Sequence, residues 1–203
     1  ETEESTLQLI RELGGYIPSN NFEEAPYVET ACDRGLISPG LNYYPNELAN
    51  RGQMITVLGR EYEWETGMTI YSSGVSVFTD VPSWEFYAKY VAWANSTGIT
   101  KGTSETTFGP EDNLTREQLA IFLYRLSNYT GHSVYVDETL YYRFNDWYNV
   151  NSYGVTAISW AVQVGLLKGD DQGNVNPQSY ATRAEMITML CRYMDYVSEY
   201  YAW

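Results

Sequence analysis

The chain has 203 residues, 44% of them hydrophobic, and carries 26 acidic against 12 basic side chains for a formal charge of -14. That length and apolar share suit a folded core rather than disorder. The charge opposes long-range attraction to nucleic acid or anionic membranes, and no run of 18 apolar residues is present to span a bilayer. Cys32 and Cys191 stand in no metal-ligand spacing, so zinc is not expected and their redox state is open.

In chain order, Glu1-Thr2-Glu3-Glu4 opens the sequence without a secretory leader, which implies a removed signal or an excised module. Glu4 to Leu13 reads as an extra N-terminal helix. Gly35-Leu36-Ile37 ends a first unit's opening helix, and Pro45 sits in the loop that follows. Asn50 with Gln53 is a weaker capping box, starting a helix whose buried stripe is Met54, Val57 and Leu58. Segment 61–77 is read as a link. Phe78-Thr79-Asp80 begins the next unit, and Ser83 is expected to cap a helix that runs to about Thr97 and stops at Gly98. Lys101 follows, then a turn-rich loop from Gly102 to Asn113. Thr115 with Gln118 is a full capping box before the stripe Leu119, Phe122, Leu123 and Leu126. After a link over 127–143, Phe144-Asn145-Asp146, Trp160-Ala161, Gly165-Leu166-Leu167 and Lys168-Gly169 repeat the same order. Thr182 with Glu185 then caps a helix bearing Met186, Met189 and Leu190.

These correspondences are a repeat. Taking Pro45, Pro110 and Pro177 as anchors, an Arg follows at six residues (Arg51, Arg116, Arg183) and another nine further on (Arg60, Arg125, Arg192). The periods are 65 and 67 residues. Copy one is worn: Tyr16 or Phe22 must stand for the opening Phe, and Ser38 replaces the Lys.

Phe78-Thr79-Asp80-Val81-Pro82, Trp93-Ala94, Gly98-Ile99, Phe108-Gly109-Pro110, Thr115-Arg116-Glu117-Gln118 and Thr182-Arg183-Ala184-Glu185 together resemble the S-layer homology module, over roughly residues 16–197. The resemblance implies a mainly α fold: three two-helix repeats in a pseudo-threefold, three-pronged arrangement around a central helix bundle, divided as 1–62, 63–130 and 131–203. It implies an extracellular role in bacteria, at the cell wall or surface. There the chain would grip a secondary cell-wall polysaccharide, often one bearing ketal-linked pyruvate, in grooves between repeats, as part of or attached to a larger surface protein. The tetrad Arg would meet the acidic sugar. Asn50-Arg51-Gly52-Gln53 departs from that tetrad, so the first groove keeps its cation and is expected to have lost supporting contacts.

Residue types alone favour pairing of each helix-start Arg with an acidic neighbour. The threefold recurrence together with the resemblance turns the reading toward an anion site for Arg116 and Arg183 and leaves Arg51 open. Arg51, Arg116 and Arg183 fall at the first position of a helix, where a cation opposes the macrodipole by about 0.3–1 kcal/mol. Free backbone N–H groups at a helix start favour anions, and a guanidinium beside them adds a bidentate fork for a carboxylate. The competing reading is that each Arg pairs with an acidic neighbour. Lys101 and Lys168 are candidate sugar contacts or solvated helix-end cations, and Trp84 and Trp147 candidate stacking platforms or core. Trp93 and Trp160 read as core, Asp80 and Asp146 as caps or turn residues, and Arg60, Arg125 and Arg192 as structural cations. His132 in its linker reads as a solvated side chain. Asp170-Asp171-Gln172-Gly173 lacks calcium-loop spacing, and no catalytic constellation, cofactor motif or metal motif is found. A structural or protein-interaction module that has lost glycan binding is the alternative.

Overall fold

The computed structural model describes residues 30–31, 33–36, 44–72 and 75–201. The expected N-terminal helix, Tyr16, Phe22, Cys32 and Ser38 lie outside the described residues. Among the described residues, five α-helices have both ends in view: α1 (Arg51–Thr66), α2 (Ala88–Ser96), α3 (Arg116–Tyr129), α4 (Val155–Gln163) and α5 (Arg183–Tyr201). Short 3-10 turns occupy Leu140–Arg143 and Trp147–Asn149. The described residues contain no strand, only three isolated bridges. The protein is mainly helical, as expected.

All three capping boxes form. The Thr115 hydroxyl accepts from Gln118 N at 3.2 Å and Gln118 Oε1 accepts from Thr115 N at 3.3 Å. Thr182 and Glu185 do the same at 3.2 and 2.8 Å. Asn50 and Gln53, expected to be the weaker pair, close theirs at 2.8 and 3.2 Å. Gly98 and Gly165 adopt the left-handed conformation after α2 and α4, at φ 78° and 80°.

The helix expected from Ser83 begins five residues later, at Ala88, with no side-chain cap. Residues 82–88 instead make successive turns, Glu85 N donating to Pro82 O and Ala88 N to Glu85 O. This path buries Tyr87 against Gly52, whose missing side chain makes the room: a Cβ there would lie 3.0 Å from the Tyr87 ring. The links also start later than expected, because α1 continues to Thr66 and is stopped by Gly67 at φ 67°.

Before each long helix, one backbone hydrogen bond joins equivalent residues into a ring. Ala49 N donates to Ala181 O (2.9 Å), Ala181 N to Leu114 O (2.8 Å) and Leu114 N to Ala49 O (2.8 Å). The first two N–H groups of each of these three helices follow one rule. Arg51 and Gly52 donate to Asp112 O and Pro110 O, Arg116 and Glu117 to Ser179 O and Pro177 O, Arg183 and Ala184 to Glu47 O and Pro45 O. The proline loops recur because their carbonyls cap a neighbouring unit's helix. This overturns the expectation of free helix-start amides: they are already satisfied, and no anion is needed there.

The helices pack in sequence, α1 against α2, α3 against α4, with α3 touching both α1 and α5. The predicted stripes are buried, as are Trp93 and Trp160. Size is exchanged between equivalent contacts. Gly52 faces Tyr87, whereas in the next unit Gly154 faces the Glu117 carboxylate. Arg60, Arg125 and Arg192 each donate to a carbonyl at the end of their own unit's first helix: Leu36 O (3.0 Å), Ile99 O (3.1 Å) and Leu166 O (3.3 Å). Asp80 and Asp146 hold the loops, accepting from the N–H groups of Phe108 and Gly109 and of Val175 and Asn176. His132 is not solvated as expected. Its ring is 13% exposed, with Nδ1 2.9 Å from the Thr130 hydroxyl and 3.5 Å from Oε1 of Glu65 on α1.

Candidate ligand-binding site

Arg51 starts α1 and reaches across to the next unit. Its Nε donates to Phe108 O at 2.9 Å, and its guanidinium lies 4.8 Å from the Phe108 ring centroid and 5.5 Å from that of Phe122. Held this way it is only 5% exposed. It lines a cavity of about 400 Å³ together with Thr100, Lys101, Gly102, Thr103, Gln118, Ile121, Phe122, Arg125 and Tyr153.

Three cations border this space and no carboxylate does, in a chain of net charge -14. Among the described residues no carboxylate oxygen stands within salt-bridge distance of Arg51, Lys101 or Arg125. Burial pulls the Arg51 guanidinium below its ordinary value and Arg125 adds to this, while the fields of Asp112 and Asp80 oppose it. Burial likewise lowers Arg125. Desolvated, unpaired guanidinium groups beside exposed hydroxyl donors suit an oxyanion. Gln118 extends the set: its Oε1 is used on Thr115 N, which leaves its NH2 as a donor on the lining.

The other two helix-start arginines are occupied. Arg116 donates through Nε to Val175 O at 3.1 Å and through NH1 to Glu185 Oε1 at 2.7 Å. Arg183 NH1 lies 3.2 Å from Glu47 Oε2, and its buried Nε has no hydrogen-bond partner. Of the three helix-start arginines, the one in the departed tetrad, Arg51, is the one with no carboxylate partner among the described residues. Lys101 joins Arg51 in the cavity, whereas Lys168 is exposed and does not border it. Trp84 is 82% exposed and Trp147 40% exposed; neither lines the cavity, and Trp147 packs edge-on against Tyr141 and Tyr142.

Sequence reasoning missed Gln118, Arg125, Thr100, Thr103 and Tyr153 as lining residues. A signal existed for two of them, since Gln118, Phe122 and Arg125 stand at i, i+4 and i+7 on one face of α3. Tyr153 comes from the third unit and had none. Among the described residues no group of three His, Cys, Asp or Glu side chains is placed to hold a metal ion, and the cavity lining contains no nucleophile paired with a base.

The S-layer homology domain model matches residues 77–120 and 143–187. These two stretches are similar to S-layer homology repeats. The first copy, which supplies Arg51, lies outside both stretches. An amylopullulanase of Thermoanaerobacterium thermosulfurigenes is 32% identical over 107 residues, 52% of this chain and 6% of that protein. The surface-layer 125 kDa protein of Lysinibacillus sphaericus is 25% identical over 175 residues, 84% of this chain and 14% of that one. Exoglucanase XynX of Acetivibrio thermocellus is 33% identical over 101 residues, 49% of this chain and 9% of that enzyme. This chain spans a small fraction of each of these relatives, between 6% and 14% of their length.

Proposed function

We propose that the chain is a non-covalent anchoring module, placed outside the cell, that binds an anionic secondary cell-wall polysaccharide. The observation that carries this is the cavity of Arg51, Lys101 and Arg125, cationic and free of carboxylates within a strongly acidic molecule. A sugar bearing a carboxylate, such as a pyruvyl ketal, fits that lining. The terminal nitrogens of Arg51 offer a planar fork, Lys101 a mobile point charge, and Thr100, Thr103 and Gln118 polar contacts for ring hydroxyls. Each charge-assisted hydrogen bond contributes about 1.5–3 kcal/mol.

The proposal includes Arg116, Arg183 and Lys168 as cations of two further grooves, and the segments 1–62, 63–130 and 131–203 as three copies about one pseudo-threefold axis, with α1 continuing to Thr66 across the first boundary. The ring of equivalent hydrogen bonds supports the copy reading. The exposed Trp84 and Trp147 carry no part of the cavity argument. The chain itself is not an enzyme, and the catalytic names among its relatives belong to proteins in which this region is a minor part. A structural or protein-interaction role is the second reading, favoured by the salt bridges that occupy Arg116 and Arg183.

Co-sedimentation with purified Gram-positive cell walls separates the two. Anchoring predicts that the chain pellets with intact walls and stays in solution once the secondary polymer has been chemically extracted. Equal pelleting with both preparations, or with neither, contradicts it.

A further inference from the structure

With the helix-start amides satisfied, what distinguishes the Arg51 groove from the Arg116 groove is the side chain facing each arginine. In both it is the fourth residue of the next unit's capping box. That residue spends one terminal atom on the backbone: Gln118 Oε1 on Thr115 N at 3.3 Å, Glu185 Oε2 on Thr182 N at 2.8 Å. Its other terminal atom differs in character. Glu185 presents a second oxygen, which Arg116 grips at 2.7 Å. Gln118 presents an NH2 group to the cavity it shares with Arg51.

We propose that this box residue is a built-in gate on anion binding. Gln118 keeps the Arg51 groove open to one carboxylate-bearing sugar, whereas Glu185 fills the Arg116 groove with the protein's own carboxylate. The proposal rests on the site reading above. Glu185 is held by its cap against the guanidinium that a ligand carboxylate would need, so any ligand there competes with a tethered group. Gln and Glu serve equally in a capping box, so exchanging them leaves the helix start intact and alters only what the arginine meets. The Arg183 position is closed differently. Gln53 holds the box there, and the carboxylate comes from Glu47, 56% exposed and 3.2 Å away, a weaker stopper than Glu185.

The test is calorimetric titration of the full chain with the methyl glycoside of a pyruvyl-ketal hexosamine, using the same glycoside without the ketal as control. Wild type should take up one ketal sugar tightly per chain and ignore the control. Gln118→Glu should bind at least about tenfold more weakly, since it brings a carboxylate to Arg51. Glu185→Gln should gain a second site. Both should melt within a few degrees of wild type. Lys101→Met reports on the cavity itself and should weaken binding whatever the gate does. If Lys101→Met is impaired but Gln118→Glu binds as wild type, or Glu185→Gln still has one site, the gate is wrong and the cavity assignment stands. Failure of the wild type to bind the ketal sugar overturns both.

Discussion

Acidifying the solution from pH 7.5 to 5.5 should stabilise this fold, and the reason lies beneath α1. Glu61 and Glu65 stand one turn apart on that helix with side chains only 2% and 14% exposed. Burial pushes the Glu61 carboxyl up from 4.5 to about 7, with Glu65 adding to this and Arg34 opposing it from 3.5 Å. Burial raises Glu65 to about 7 as well. Each has an Oε2 without a hydrogen-bond partner. The groups facing them give little relief. Burial lowers His132, pushes the Cys191 thiol up to about 12 and raises the Tyr193 hydroxyl. The folded state therefore holds these two protons more tightly than the unfolded chain. Stability is complete below the unfolded value near 4.5 and is lost as pH rises through about 7. Over the two pH units from 7.5 to 5.5 each carboxyl contributes up to ~2 kcal/mol. His132 acts in the other direction, since burial lowers it and its protonation below pH 6.5 opposes folding, and the two carboxylates are coupled, so their contributions do not simply add. The net gain should be about 2 kcal/mol. Urea unfolding followed by tryptophan fluorescence at pH 7.5, 6.5 and 5.5 measures it, and Glu61→Gln and Glu65→Gln should each remove part of the slope. A wild type no more stable at pH 5.5 than at 7.5, or a slope that survives in the double variant, refutes the reasoning.

Gly59→Ala should destabilise by about 1–3 kcal/mol despite the better helix propensity of Ala, because a Cβ there would stand 2.2 Å from the Tyr90 ring in a buried contact; thermal melting checks this. Glu117→Ala should cost about 2–4 kcal/mol in the same assay, since the 1% exposed carboxylate accepts from Asn151 N at 2.7 Å, Asn151 Nδ2 at 2.6 Å and Gln178 Nε2 at 3.1 Å, and those donors would be stranded. Binding to extracted wall polymer should change little between low and physiological salt, because a few enclosed cations act against an overall field that repels the ligand. A steep loss of affinity with salt would indicate diffuse attraction instead.

Much of the fold was legible because its signals are local. The capping boxes, the glycine stops and the apolar stripes each need only a few neighbouring residues, and the fixed Pro-to-Arg spacing ties them into copies. The site was less legible because it is assembled across copies. Arg51, Arg116 and Arg183 look alike in one dimension, and what separates them is a facing side chain from another unit: Gln118, Glu185 and Glu47 respectively. The first groove looked degraded because Gly52 replaces a larger tetrad residue, yet that Gly is matched by Tyr87, just as Glu117 is matched by Gly154. Such exchanges keep the packing while eroding the visible repeat. The use of the helix-start amides was hidden for a similar reason, since their acceptors are backbone carbonyls in proline loops some 60 or more residues away. The path of residues 83–87 was missed because Ser83 gives a plausible cap, and burial of Tyr87 overrides it.

The central claim is that the Arg51 cavity is where the wall polymer binds, and amide chemical-shift mapping by NMR tests it most directly. On titration of the labelled chain with soluble secondary cell-wall polysaccharide, the largest shifts should fall on Thr100, Lys101, Gly102, Thr103 and Tyr153 and on the Arg51 Nε–H signal. The signals around Arg116 and Lys168 should move less. Shifts concentrated at the Arg116 or Arg183 unit with the 100–103 loop unmoved, or no shifts at all, would contradict the account.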